Sequence, residues 1–229
     1  MSSRSSGGIS GLGPYLQVAP LALFTIAFVG VPITTLFVLS FWQTDGIFIY
    51  REFTLDNYRE MLTSRLTYEL FFTTIKFAAI TLVATTIIGF TCSYFLVFHV
   101  RRLKWQIALL LLCTIPFWTS NVIRMISWIP FLGREGIFNQ TIIAMGLTNQ
   151  PLDFLLYSEF AVVLTYIHLY TLFMIVPIFN SMMRIDRGLL EAAHDAGASG
   201  FQTLVNVGLP LCKPGIAIGS IFVLAIVIG

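Results

Sequence analysis

Between Arg4 and Asp45 the chain carries no Asp, Glu, Lys or Arg. The apolar part of that interval, Tyr15 to Trp42, holds Pro20 and Pro32. A helix rises about 1.5 Å per residue, so roughly 20 apolar residues cross the hydrocarbon core, and this stretch is long enough to do so with a tilt or a kink. A secretory signal is excluded as its reading, because the run is about twice the length of a signal h-region and no small-x-small cleavage site follows. Four more intervals read the same way: about Leu70 to Phe98, interrupted only by Lys76; Trp105 to about Ile123, containing Pro116; Phe160 to Met183, containing His168 and Pro177; and a last one opening at Pro214. The 229 residues are 57% hydrophobic and 10% charged, with a mean hydropathy of +0.86. Soluble chains carry charge on about a quarter of their residues, so the expectation is an all-α integral membrane protein with five apparent transmembrane helices. Water-soluble enzymes, nucleic-acid readers and disordered scaffolds are excluded, and a net charge of +2 gives no reason for a polyanionic partner.

Threading the spans with the N-terminus in the cytoplasm puts Arg4, Arg101, Arg102, Lys104, Arg184, Arg187 and Lys213 inside. Only Arg51, Arg59, Arg65 and Arg134 fall outside. That bias follows the positive-inside rule and predicts a multi-pass protein with a cytoplasmic N-terminus. The first thirteen residues, rich in Ser and Gly, read as a mobile tail, and residues 14–229 as one transmembrane domain. The outer segment from about Gln43 to Tyr68 mixes charges with aromatics and is expected to hold a short surface helix. Cys92, Cys113 and Cys212 are scattered and form no CxxC site. His99, His168 and His194 have no ligand at metal spacing, so neither metal nor cofactor is expected.

The inner loop, about 184–213, is the most informative part of the chain. Arg187 to Ala196 are good helix formers with Asp186 placed to cap the first turn. Leu189, Leu190 and Ala193 share one face of this helix, and Glu191, His194 and Asp195 another. Gly197 suits the left-handed position that ends a helix. Ser199 and Gln202 form a Ser-x-x-Gln capping box for a second short helix through about Val207, which Pro210 and Pro214 are expected to end. A bent lever joined to membrane helices at both ends can transmit force, and nothing intrinsic to it names a partner.

Glu191-Ala192-Ala193, three residues, Gly197, then nine residues to Val207-x-Leu209-Pro210 resembles the EAA loop of permease subunits of ABC importers. Valine at 207 stands where isoleucine is more usual. Pro116 to Arg124, with Gly133 to Asn139 beyond it, looks like the branch handling spermidine and putrescine. The resemblance covers roughly residues 60 to 229. It implies a non-enzymatic permease of the bacterial inner membrane, coupled to a cytoplasmic ABC ATPase dimer and paired with a homologous second permease. An extracytoplasmic solute-binding protein would deliver the solute. Glu191 and Asp195 would contact the ATPase, Ala192 and Ala193 would allow its close approach, Gly197 would make the bend, and Leu209 with Pro210 would fix the loop to the next span. Members usually have six spans, whereas this chain stops about fifteen residues into the fifth, so a fragment or a truncated product is expected. No GxxxxGK[ST] loop is present to hold ATP.

A flexible polycation would be held by carboxylates and aromatic faces. Candidate pathway residues are Trp118, Asn121, Arg124, Trp128, Asp153, Glu159, Tyr166 and Tyr170, with Tyr166 and Tyr170 on one helical face. Arg124 reads equally as a structural anchor, and it argues against a purely cation-friendly cavity. Lys76 is expected to snorkel to the outer interface and His168 to be a hydrogen-bonded core residue. A phosphonate or metal chelate is the alternative solute. A stand-alone ion-driven carrier or channel would want buried acids beside broken helices, and the spans hold almost none. An intramembrane enzyme would need a catalytic cluster, and none is seen.

Overall fold

The computed structural model describes residues 13–44 and 48–229; the segment 1–12, which makes up nearly all of the expected tail, and Asp45 lie outside them. The described chain is helical apart from one two-stranded ribbon. Four helices are long and apolar enough to cross a membrane: Gln17–Leu39, Arg65–His99, Glu159–Met182 and Gly200–Ile228. A fifth span is formed if Leu103–Trp118 and Asn121–Ala144, bent by 89°, are taken together. The chain divides into two compact units, Met1–Glu69 and Leu70–Gly229.

In the first unit, α1 (Gly13–Thr25) and α2 (Val31–Leu39) are joined by a widened π-type turn, Ile26–Gly30. Pro32 causes it: proline lacks an N–H, and its ring would strike the carbonyl of residue 28 in a regular α-helix. Thr25 and Thr35 return their hydroxyls to the carbonyls of Leu21 and Val31, which satisfies them without water. The outer segment holds the expected short helix, α3 (Asp56–Thr63), and also an unexpected hairpin. Strands β1 (Trp42–Thr44) and β2 (Ile49–Phe53) pair antiparallel with a register shift after Trp42. Stacking of Phe41 on Phe53 and of Arg51 over Trp42 holds the ribbon. Asn57 Nδ2 donates to the carbonyls of Ser40 and Trp42, and this ties α3 to the start of the hairpin.

In the second unit the core lies where α4 (Arg65–Tyr94), α9 (Glu159–Met182) and α12 (Leu209–Ile228) approach closely. Small residues set the spacing. A Cβ on Gly89 would stand 2.8 Å from Met174 Cγ, and one on Gly219 2.6 Å from Met174 Sδ. A Cβ on Gly215 would stand 2.5 Å from the Pro177 carbonyl oxygen. Gly215 and Gly219 thus form a small-xxx-small seam against α9, the packing mode that works between helices in lipid. Ser93 Oγ donates to the Ile175 carbonyl at 3.0 Å, adding a cross-helix hydrogen bond on the α4 side.

The third span departs from the single helix expected through Ile123. After α5 (Leu103–Thr114) the chain tightens into a 3₁₀ turn, Ile115–Trp118, passes through extended Thr119 and Ser120, and restarts as α6 (Asn121–Ile126). Pro116 cannot donate to the carbonyl of residue 112, so the ladder fails there. The chain continues through α7 (Trp128–Leu132) and α8 (Ile137–Ala144). Asn139 anchors the next loop, donating to the Gly133 carbonyl and accepting from Leu152 N–H at 2.8 Å.

Candidate functional site

The capping and bend signals in the 184–213 loop produce the geometry their chemistry implies. Helix α10 (Arg187–Asp195) is capped by Asp186, whose Oδ1 accepts from Gly188 N–H at 2.9 Å. Gly197 has φ +86 and ends the helix, with hydrogen bonds from Gly197 N to the His194 carbonyl and from Ala198 N to the Ala193 carbonyl. A Cβ there would meet nothing within 4 Å, so glycine is favoured by backbone conformation alone. Helix α11 (Gly200–Thr203) opens on the capping box: Ser199 Oγ accepts from Gln202 N–H, and Gln202 Oε1 accepts from Ser199 N–H at 2.8 Å.

Two expectations about this loop are corrected. Pro210 and Pro214 do not end the second helix, because a π-type turn at Leu204–Gly208 carries α11 straight into α12. Asn206, whose carbonyl the Pro210 ring would otherwise strike, lies inside that widened turn. Leu190 does not stand apart from the polar trio. It is half-buried and, with Glu191, His194 and Asp195, lines a cavity of about 470 Å³ whose other wall includes Tyr94 and Phe98. The opposite side of α10 leaves Leu189, 51% exposed, Ala192 and Ala196 uncovered. Glu191 and Asp195 are themselves exposed, and among the described residues no ion pair engages them. Arg187 Nη2 donates to the Val97 carbonyl at 3.4 Å, so the start of α10 is tied to the π-type turn Phe95–His99 that follows α4. The lever is therefore jointed at Gly197 and rigidly continuous with α12.

The candidate pathway residues fall into separate groups. Arg124 is 7% exposed, bonded through Nη2 to Asn121 Oδ1 and set over the Phe117 ring at 5.8 Å. Trp128 Nε1–H donates to His168 Nδ1 at 3.2 Å, and His168 is exposed on α9 rather than a core residue. The rings of Tyr166 and Tyr170 lie tilted at 44° to each other with centroids 5.5 Å apart. Trp128 and Tyr166 share the lining of a cavity of about 400 Å³. Glu159 instead pairs with Lys76 at 2.5 Å, so Lys76 finds a carboxylate rather than snorkelling alone, and Asp153 lies 3.7 Å from Arg134. Trp118 stands apart, 88% exposed. Phe117 and Tyr157 were not singled out from sequence, nor was the carboxylate partner of Lys76. Lys76 and Glu159 are 83 positions apart, and no local pattern links them. Tyr157, 91% exposed with φ +56, carried no signal, because its left-handed backbone is rare for an aromatic.

Membrane-length helices, some broken and some continuous, with a capped and jointed loop between the last two, define a helical integral membrane protein. The fold agrees: the crystal structure of a bacterial ABC transporter that imports the acidic polysaccharide alginate superposes with a TM-score of 0.70 at 18% identity, covering 93% of this chain and 72% of that one. A second structure, of an alginate ABC transporter in complex with an alginate pentasaccharide-bound periplasmic protein, gives the same score at 18% identity, covering 91% and 70%. No family model matches the chain. The spermidine/putrescine transport system permease protein PotB of Haemophilus influenzae is 33% identical over 210 residues, covering 91% of this chain and 72% of the relative. PotB of Escherichia coli K12 is 31% identical over 182 residues, covering 80% and 65%. The inner membrane ABC transporter permease protein YdcU of Escherichia coli K12 is 26% identical over 237 residues, covering 96% and 73%. The chain belongs to the family of ABC transporter permease proteins, in the branch of the spermidine/putrescine permeases, and is a protein of the inner membrane. It spans about 65% of the length of the Escherichia coli PotB it matches.

Proposed function

We propose that residues 14–229 form one permease domain, half of the translocation pathway of an ATP-driven importer for polyamines. A homologous permease forms the other half, a cytoplasmic ATPase dimer drives it, and an extracytoplasmic solute-binding protein loads it. The binding protein is supported by the periplasmic protein seated on a structurally similar transporter, and the polyamine class by the names of the relatives. The observation that carries the coupling is the loop itself. Helix α10 presents exposed Glu191 and Asp195, which have no ion-pair partner among the described residues, together with the small residues Ala192 and Ala193, and the left-handed Gly197 joins it to a helix that runs unbroken into the membrane.

In this reading closure of the ATPase pair on ATP moves α10. The move turns α12 through the continuous π-turn at Leu204–Gly208, with Val207, Leu209 and Pro210 keeping loop and span in one piece. The spans then rock between outward-open and inward-open states about a fixed solute site. The N-terminus lies in the cytoplasm. ATP hydrolysis belongs to the partner subunit.

The test replaces Gly197 by Val, which cannot hold φ +86 without a cost of about 1–2 kcal/mol, and separately Glu191 by Lys. Both variants are expected to insert in the membrane at native levels and to lose ATPase co-purification and ATP-dependent uptake of labelled spermidine and putrescine. Retained association in both overturns the coupling role. Uptake of an unrelated solute in preference to either amine overturns the polyamine assignment.

A further inference from the structure

Along Leu70–Gly229 Lys76 lies on Glu159 and Arg134 faces Asp153, yet Arg124, the buried one, has no carboxylate partner among the described residues. Its Nη2 bond to Asn121 and its seat over Phe117 account for part of the guanidinium, while Nε is buried with no acceptor. A buried cation with no counter-charge and one N–H without an acceptor is strongly unfavourable, and an anion beside it would relieve that cost.

A cavity of about 450 Å³ opens beside this residue, walled by Arg124, Phe117, Trp128, His168, Cys92 and Cys113 among aliphatic groups. Arg124 brings the one charged group to it; Thr171 also lines it, with its hydroxyl proton given to the Ile167 carbonyl. Because Trp128 Nε1–H donates to His168 Nδ1, the ring proton of neutral His168 sits on Nε2 and is a further donor. The Cys92 and Cys113 thiols are weak donors, and no carboxylate lines the cavity. A buried guanidinium with no carboxylate in the lining favours an anion over a bare polycation. Trp128 also walls the neighbouring cavity of about 400 Å³, where Tyr157 and Tyr166 offer aromatic faces suited to an ammonium group. The first volume is within the range of small-solute sites.

We propose that the Arg124 cavity is a carboxylate subsite, so that the permease handles short aliphatic solutes with an amine at one end and a carboxylate at the other as well as plain diamines. This rests on the polyamine-permease reading and extends its solute class. A carboxylate of the second permease subunit is the other source of the same chemistry.

The experiment measures equilibrium binding of labelled 4-aminobutanoate and putrescine to the complete permease–ATPase complex in nanodiscs. These solutes share a four-carbon spine and differ in one end group. The solute-binding protein is left out so that its own selectivity does not enter. Native complex is compared with R124Q and R124K. The expected result is that native complex binds 4-aminobutanoate, that R124Q lowers the ratio of 4-aminobutanoate to putrescine binding about tenfold, the scale of one charge-assisted hydrogen bond, and that R124K restores part of it. Binding of putrescine alone by the native complex overturns the inference and leaves the polyamine reading standing. Binding of 4-aminobutanoate alone supports the inference and overturns that reading. An equal fall for both solutes in R124Q, or dissociation of the two permeases, overturns it in favour of a structural or intersubunit role. Binding of neither solute overturns it, and the uptake assay above then decides the polyamine reading by itself.

Discussion

At Gly219 the space a side chain would need is already filled by the thioether of Met174, which itself stands within 3.0 Å of where a Cβ on Gly89 would lie. One methionine thus sits between two glycines on different helices, and bulk at either position must push it aside. Gly219→Leu is therefore expected to lower stability by about 1–3 kcal/mol through overpacking, read as a lower thermal unfolding midpoint of the detergent-solubilised protein. Gly200→Ala, where a Cβ meets nothing within 4 Å, is expected to leave the midpoint unchanged or raised, since alanine favours helix. Equal effects of the two would remove the close-packing account. By comparison the Lys76–Glu159 pair, more than half exposed on both sides, contributes only about 0.2–1 kcal/mol. Geometry rather than charge holds this bundle.

At the scale of elements the same four-residue pattern makes the same distortion twice. Val29-Gly30-Val31-Pro32 and Val207-Gly208-Leu209-Pro210 each place proline two residues after a π-type turn, Ile26–Gly30 in one case and Leu204–Gly208 in the other. In each the carbonyl that proline would strike is in the middle of the widened turn, so the helix absorbs proline without breaking. Pro210→Ala is expected to let the turn relax to regular α geometry, which rotates everything before it by about one residue, roughly 100°. The thermal midpoint should hold or rise, while stimulation of the ATPase by the permease is lost because α10 faces the wrong way. An unaltered stimulation would show that the turn's phase is irrelevant. Both ends of α10 and the start of α11 were legible from sequence because Asp186, Gly197, Ser199 and Gln202 act within a few residues of themselves. Continuation through Pro210 was not, since a proline signals a break unless the register beneath it is known. The contact between Trp128 and His168, 40 positions apart, was likewise invisible. The Gly215-x-x-x-Gly219 spacing is itself a membrane packing motif, local enough to be legible in the sequence.

Over the whole of Leu70–Gly229, α4, α9 and α12 are locked together near Met174 and Ile175 by Gly89, Gly219 and the Ser93–Ile175 hydrogen bond, while Arg187 fastens the loop to the π-type turn that follows α4. Close-packed interfaces switch between discrete arrangements rather than stretch, so a push delivered at α10 has no soft joint to dissipate in between α12 and α4. This part of the chain should therefore move as one body, with the rearrangement taken up against the second permease. Spin labels at Thr91 on α4 and Ile218 on α12, both outward-facing, measure that directly in the assembled transporter. Their separation is expected to stay constant within about 1–2 Å, the scale of ordinary helix adjustments, between nucleotide-free and ATP-bound states, while the distance from Ile218 to the partner permease changes. A shift within the pair approaching one helical turn, about 5 Å, would mean that the bundle itself opens and that the seam at Gly215 and Gly219 is the hinge rather than the lock.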